Sequence, residues 1–237
     1  MTKHVYPIIP DIGLKVHKTF VHKFIYFEHE WKFRVRSQSE ANLARGCLTY
    51  YKAMWDAELF EPINHTDTVV DVGAHVGFFA IPISCLVKKV IAFEPSPANF
   101  ILLDRNITAN QSAVLPRQAA VGESGGSAIL NLGVQGTTGH SITNKKRGGV
   151  SISVICWSLS DVINTYNPTV LKLDCEGAEW DILANPDLLG NIRIIVAELH
   201  KVQAHDLPTM LKVMKKAGMK VIVLPNSWFT KLIAYRR

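Results

Sequence analysis

VVDVGAHVGFFAI, Val69 to Ile81, is the stretch that decides the fold. An apolar run breaks on Asp71 and then Gly73, and it passes at once into helix-like sequence. A second apolar run, VIAFEP, closes on Glu94, 21 residues after Gly73. Glycine at a strand-to-helix turn lets the backbone approach a ligand, and a carboxylate on the next strand can accept hydrogen bonds from both ribose hydroxyls. The pair predicts a ribose-bearing cofactor at the edge of a parallel sheet. A turn that merely joins a strand to a helix is the plainer alternative, and the position of Glu94 argues against it.

The same fragment speaks against a dinucleotide. That fingerprint requires Gly-x-Gly-x-x-Gly, so that a pyrophosphate can lie against the helix start. Gly73 and Gly77 are separated by Ala74, His75 and Val76, so the central glycine is missing. A nicotinamide-dependent oxidoreductase is disfavoured on this ground. S-adenosylmethionine has a ribose, no phosphate, and a sulfonium that clustered carboxylates would attract.

Outward from this fragment, strands alternate with helices. Strands are expected at Thr68 to Val72, Lys89 to Phe93, Ala113 to Val121, Val170 to Asp174 and Ile192 to Leu199. Helices should follow the first, second and fourth, and the fifth at Leu207 to Ala217. Ser96-Pro97 reads as a capping hydroxyl and a first-turn proline for a helix with the apolar face Phe100, Leu103 and Ile107. Pro82 falls inside the helix after the glycine turn and should kink it. Eight of the fifteen glycines fall between Gly122 and Gly149, around strand-like Ser127 to Leu132 and Val150 to Trp157, which predicts an insertion with a loop over the site or a plain surface hairpin. Met219 to Leu224 and Trp228 to Tyr235, joined by Pro225-Asn226-Ser227, form a closing antiparallel pair.

Ahead of this core, Phe20 to Arg36 alternates apolar and polar residues as a hairpin does, and Ser39 to Ala57 has helical spacing. The expected fold is α/β: a Rossmann-like doubly wound sheet, mostly parallel, with an antiparallel C-terminal hairpin. Residues 1–60 form an N-terminal extension and residues 61–237 the catalytic domain. With 237 residues, nearly half of them hydrophobic, no second full domain is needed.

Charge is uneven. The last 37 residues carry eight Lys/Arg against one Asp/Glu, while residues 61–200 carry nine against thirteen. Such a basic tail suits phosphates or an acidic substrate, or it is a solvated helix face plus a charged edge strand. The longest apolar run, Phe78 to Val87, is about half a bilayer span and contains Pro82, so no membrane segment is expected. Cys47, Cys85, Cys156 and Cys175 form no Cys-x-x-Cys pair, and no secretory leader is apparent, which together predict reduced thiols in a cytoplasmic protein.

LKLDCEGAEWDIL, Leu171 to Leu183, is the second concentrated signal. Its strand ends on Asp174, so Asp71, Glu94 and Asp174 would converge on one rim of the sheet. Asp174, Glu176 and Glu179 could hold a divalent metal or cap the next helix, and for Glu179 the cap is favoured. No metal site is assigned.

DVGAHVG, FEPSPANFILLDRNITAN, AVGESGG and LKLDCEGAEWDIL, in this order and spacing, resemble the FkbM-type class I S-adenosylmethionine-dependent methyltransferases over about residues 60 to 200. The resemblance implies that Asp71, Gly73 and Ala74 shape the methionine side of the pocket, that Glu94 holds the ribose, and that Asp174 and Glu176 face the reaction centre. His75 departs from the Asn usual there. The expected cofactor-binding set is Asp71, Gly73, Ala74, His75, Gly77, Glu94, Pro95, Val121 and Asp174; the catalytic set is Asp174, Glu176 and His200.

Methyl transfer depends on holding an acceptor in line with the methyl group, and a hydroxyl acceptor also needs a base. Candidates are Glu176, His200 and, less favoured by position, His140. The resemblance implies a small-molecule or sugar hydroxyl as acceptor. RNA is the rival, suggested by the basic tail and by Tyr26, Trp31 and Lys32 in the hairpin. A binding module that has lost turnover is a third reading.

Overall fold

The computed structural model describes residues 20–26, 29–38, 40–43, 63–132, 140–142, 150–203, 205–225 and 229–236. Twelve strands lie among them: β1 (Phe20–Tyr26), β2 (His29–Val35), β3 (Thr68–Val72), β4 (Lys89–Phe93), β5 (Val114–Arg117), β6 (Ala120–Gly122), β7 (Gly126–Asn131), β8 (Ser151–Ser158), β9 (Val170–Leu173), β10 (Ile194–His200), β11 (Lys220–Pro225) and β12 (Phe229–Tyr235). The central sheet has the order β11-β12-β10-β9-β3-β4-β5. β5, β4, β3, β9 and β10 are parallel, and β12 pairs antiparallel with both β10 and β11. The α/β fold with its antiparallel C-terminal strands is as the sequence predicts.

The central strands are apolar throughout because both faces are covered. Val69 faces a core that includes Phe79, Ile81 and Leu103, while Val70 and Val72 face one that includes Trp180, Ile182 and Met214. Trp31, Phe33 and Val35 of β2 belong to the first of these cores. The hairpin thus packs on the domain through β2.

Two asparagines on the Pro97–Ala109 helix and its C-cap hold that hairpin. Arg34 N donates to Asn106 Oδ1 at 2.7 Å and Lys32 N to Asn110 Oδ1 at 2.8 Å; Asn110 Nδ2 returns a bond to Lys32 O at 2.7 Å, and Asn106 Nδ2 one to Arg34 O at 3.2 Å. Four residues along a helix rise about 6 Å and two along a strand about 6.6 Å, so the pair serves β2 as a neighbouring strand would.

Several local expectations are corrected. Ala113 to Val121 is not one strand: β5 joins the central sheet, whereas β6 pairs with β8 in a separate sheet of order β6-β8-β7. Ala119 N bonds to Arg117 O at 2.9 Å, and this tight turn separates the two. The helix after the glycine turn is a single turn, Ala80–Ile83, so Pro82 has no long helix to kink. The helix after β9 is likewise one turn, Glu179–Ile182, followed by a 3-10 turn at Pro186–Leu189. Ser96 caps the Pro97–Ala109 helix by backbone alone, without a side-chain hydrogen bond. A helix at Leu159–Tyr166 was not expected. Its signal is a capping box, in which Ser158 Oγ accepts from Asp161 N at 3.0 Å and Asp161 Oδ2 from Ser158 N at 3.1 Å.

Of the helix expected over Ser39 to Ala57, residues 40–43 are helical and residues 44–57 lie outside the described residues, as do most of the glycine-rich loop and the turn at 226–228. Of the basic tail, Lys212, Lys215 and Lys216 are exposed on the Leu207–Lys216 helix and Lys220 is exposed at the start of the edge strand β11. β12 is an interior strand, where Lys231 is buried and paired with Glu198 at 3.5 Å. Arg236 donates to the carbonyls of Ile192 and Leu189.

Candidate active site

β3, β4, β9 and β10 deliver their carboxyl ends to one cavity of about 690 Å³, in the range of small-molecule sites. Gly73 follows β3 with φ +79°, and a Cβ there would lie 1.9 Å from the carbonyl oxygen of Asp174. Only glycine permits the backbones that follow β3 and β9 to come this close. The Gly73 and Ala74 N–H groups both bond to Phe93 O, at 3.0 and 2.9 Å, and so lock the turn against β4.

Glu94 lies on the cavity wall and is almost wholly buried. Its Oε2 accepts from His75 N at 2.8 Å; its Oε1 accepts from Ser96 N at 2.9 Å and Asn99 Nδ2 at 3.3 Å. Burial pushes its pKa up, against the pull of His75, the backbone N–H groups and Asn99. A carboxylate offers about four acceptor positions, so roughly one is left for a ligand in the cavity.

Asp71 is placed differently from the sequence expectation. It faces the core beneath the cavity, fully buried, and does not line the wall. Its partner is Lys172, its register neighbour on β9, with Nζ 3.0 Å from Oδ1. Lys172 Nζ also donates to Gly73 O at 3.1 Å and lies 3.8 Å from Asp174. Burial raises the Asp71 pKa, with Lys172 acting the other way and the Asp174 charge adding to the rise. The ion pair thus braces the glycine turn from below. Sequence reading passed over Lys172, although a lysine between Leu171 and Leu173 in an apolar strand signals a buried charge that needs a partner.

Asp174, Glu176 and His200 also line the cavity and come together there. His200 Nε2 is 3.9 Å from both Asp174 Oδ1 and Glu176 Oε2. Its Nδ1 is 3.0 Å from Oε1 of Glu179, which is fully buried. Glu179 also accepts from Cys175 N at 2.7 Å and Gly177 N at 2.9 Å, so it ties down the turn as a cap does and orients His200 as well. Burial lowers the His200 pKa, but the bond and charge of Glu179, then Asp174 and Glu176, outweigh it and carry the pKa to about 9. Glu176 has φ +60°, a strained conformation for a non-glycine residue.

Ala74, His75, Pro95, Val121 and His140 also line the cavity, whereas Gly77 does not. His75 takes φ +53°, a left-handed conformation that Asn and His tolerate better than most residues. Asp174, Glu198 and His200 offer ligand atoms within 4.8 Å of one another, a set a divalent cation could use, with Lys172 and Lys231 beside it. Glu198, Phe229, Asn42 and Leu43 are lining residues with no sequence signal. Trp31, proposed for stacking on RNA, is buried in the core; the side chain of Tyr26 lies outside the described residues.

Residues 71–221 match a protein family described as the methyltransferase FkbM domain. The chain is 30% identical over 155 residues to methyltransferase sdnD of Sordaria araneosa, covering 50% of this chain and 60% of that protein. It is 25% identical over 197 residues to methyltransferase 1 of Beauveria bassiana, covering 70% and 78%. The chain therefore spans less than two thirds of the first relative's length. Among solved structures, precorrin-6y C5,15-methyltransferase of Geobacter metallireducens aligns over 87% of this chain and 94% of its own at 10% identity, TM-score 0.50, a likeness of fold alone.

Proposed function

This chain belongs to the methyltransferase FkbM domain family and carries its S-adenosylmethionine-dependent domain over residues 71–221; we propose that it methylates a hydroxyl of a small molecule or sugar. The observation that carries this reading is His200, a cavity residue held by buried Glu179, since a hydroxyl acceptor must lose a proton.

The residues present fit the cofactor. Glu94 is a buried carboxylate on the cavity wall with an acceptor position to spare, suited to a ribose hydroxyl. Gly73, Ala74 and His75 would border the methionine portion, Pro95 and Val121 the adenosine, and Asp174 the sulfonium. Asp71 acts from below, through Lys172 and the glycine turn. Bound there, S-adenosylmethionine supplies a methyl group already activated on a sulfonium. Glu179 holds the imidazole by Nδ1 and leaves Nε2 facing Asp174 and Glu176, where it would take the acceptor proton. A pKa near 9 keeps His200 protonated at neutral pH, and a neighbouring positive charge would lower it toward the working range.

We take residues 1–60 as an extension of a domain spanning 61–237, in a cytoplasmic setting. Cys85, Cys156 and Cys175 are free thiols, and among the described residues no helix is long and apolar enough to cross a membrane. An RNA acceptor draws less support at the hairpin and β12, because Trp31 and Lys231 are buried and Arg236 bonds internal carbonyls, while Lys32, Lys212, Lys215, Lys216 and Lys220 stay exposed.

The test begins with S-adenosylhomocysteine. At one hundred times its dissociation constant it should add about 2.7 kcal/mol, a Tm rise of roughly 5–10 °C for a chain of this size. Glu94→Ala should lose that rise with the fold intact. Labelled methyl transfer into hydroxyl-bearing acceptors then separates an enzyme from a silent binding module. Stabilisation by NAD and not by S-adenosylhomocysteine, or label entering only RNA, refutes the proposal.

A further inference from the structure

Glu40 lies outside the matched region, in the segment after the hairpin, yet it is only 2% exposed. Three Arg36 donors reach it: N to Oε2 at 2.5 Å, Nη2 to Oε1 at 2.5 Å, and Nε to Oε1 at 3.2 Å and to Oε2 at 3.4 Å. Its other partner is the cavity residue His75, whose Nε2 lies 3.2 Å from Oε1. The same Arg36 Nη2 reaches Asn99 Oδ1 at 2.6 Å, and Asn99 Nδ2 donates to Glu94. The backbone N–H of His75 also donates to Glu94.

These contacts close a ring. From Glu40 one arm runs through His75 to Oε2 of Glu94, and the other through Arg36 and Asn99 to Oε1. We propose that Glu40 is a positioning residue for cofactor binding: it holds His75 in its left-handed conformation and, through Arg36, aims Asn99, so that both oxygens of Glu94 are fixed from the N-terminal segment. The inference rests on Glu94 being the ribose contact.

The physical case is one of rigidity and charge. A residue at φ +53° reverts readily unless its surroundings hold it, and the side-chain contact of His75 with buried Glu40 is such a hold. Arg36 can serve two partners at once because its guanidinium is a planar fork. Asn42 and Leu43, two and three residues after Glu40, line the same cavity. His75 is then coupled to Glu40, 35 residues away in the chain, and the two act as a unit.

A merely structural staple between the N-terminal segment and the domain would lower stability without changing ligand affinity. Calorimetric titration of the full-length chain with S-adenosylhomocysteine separates the two. Glu40→Gln, nearly isosteric, should raise Kd by about tenfold while the circular dichroism spectrum stays that of the wild type. In a His75→Asn background the same substitution should raise Kd by less than threefold, because one arm of the ring is already cut. Should Glu40→Gln fail to fold, Arg36→Lys, which keeps the charge and loses the fork, should raise Kd at least fivefold. Wild-type affinity in Glu40→Gln or Arg36→Lys, or full additivity with His75→Asn, overturns the inference. A wild-type chain that binds no S-adenosylhomocysteine refutes the cofactor reading beneath it instead.

Discussion

Gly73→Ala is the substitution that most directly probes how the cavity is built. The new Cβ would sit 1.9 Å from the carbonyl oxygen of Asp174, where ordinary contact is no closer than 3.4 Å, so the strand ends must separate by more than 1 Å. Alanine in the left-handed region costs about 1–2 kcal/mol, and forcing extra volume into a packed site about 1–3 kcal/mol. Loss of unfolded-chain freedom returns about 0.4–1 kcal/mol. The net expectation is a destabilisation of about 1–4.5 kcal/mol, or a Tm lowered by roughly 2–18 °C. Because the Ala74 N–H, the Phe93 carbonyl and Lys172 all meet at this turn, S-adenosylhomocysteine affinity should fall with stability. Gly126 supplies the control: its φ is +119°, and an added Cβ meets nothing within 4 Å. Gly126→Ala thus reports the cost of a positive φ without a collision, and because +119° suits alanine less than +79° does, the difference between the two variants is a lower bound on the collision. Chemical denaturation and calorimetry read both quantities. If Gly73→Ala is no less stable than Gly126→Ala and binds ligand as the wild type does, the close approach of the two backbones is not what forms the site.

Lys172→Met should destabilise the protein by about 3–5 kcal/mol at neutral pH, since it leaves Asp71 buried without its partner. The Asp71 pKa is raised by folding, so its contribution is most favourable below pH 3.8 and is lost as pH rises; the Lys172→Met deficit should therefore shrink in acid, and a pH-independent deficit in urea unfolding contradicts the pairing. His200, raised from 6.5 to about 9, should contribute about 3 kcal/mol of stability that is complete below pH 6.5 and lost as pH rises through 9. Its imidazole resonances should titrate near 9 in the wild type and at least one unit lower in Glu179→Gln; an unchanged midpoint would show that Glu179 is not its partner. If His200 is the base, kcat/KM should rise with pH to a midpoint near 9, and kcat to a lower one because the bound sulfonium is positive; a flat profile, once an acceptor is known, removes His200 from proton transfer.

Much of the architecture was legible because it rests on local rules. Apolar runs ending at Val72, Phe93 and Leu173 mark strands buried on both faces, and Gly73 marks a turn that only one residue type can make. The helices after β3 and β9 were legible as helices but not as single turns, since their lengths are set by the turns that take over past Ile83 and Ile182. The Leu159–Tyr166 helix was overlooked although its capping box is written in Ser158 and Asp161. β5 and β6 were merged because two apolar segments three residues apart look like one strand until their partners are known.

Sequence by itself determined the alternation of strands and helices, the glycine turn, and the placing of Glu94 and Asp174 just past the ends of β4 and β9. These follow from backbone sterics and from solvent exclusion along a few neighbouring residues. Tertiary structure alone decided which charges meet. Asp71 and Lys172 are 101 residues apart and become register neighbours only when β3 and β9 pair. Glu179 reaches His200 across 21 residues, and Glu40 reaches His75 across 35. Electrostatic partnership depends on distance in space and on burial, and neither is encoded in local periodicity. Hence Asp71 moved from the rim to the floor, His75 acquired a partner from outside the matched region, and His200 became a group held by a buried carboxylate.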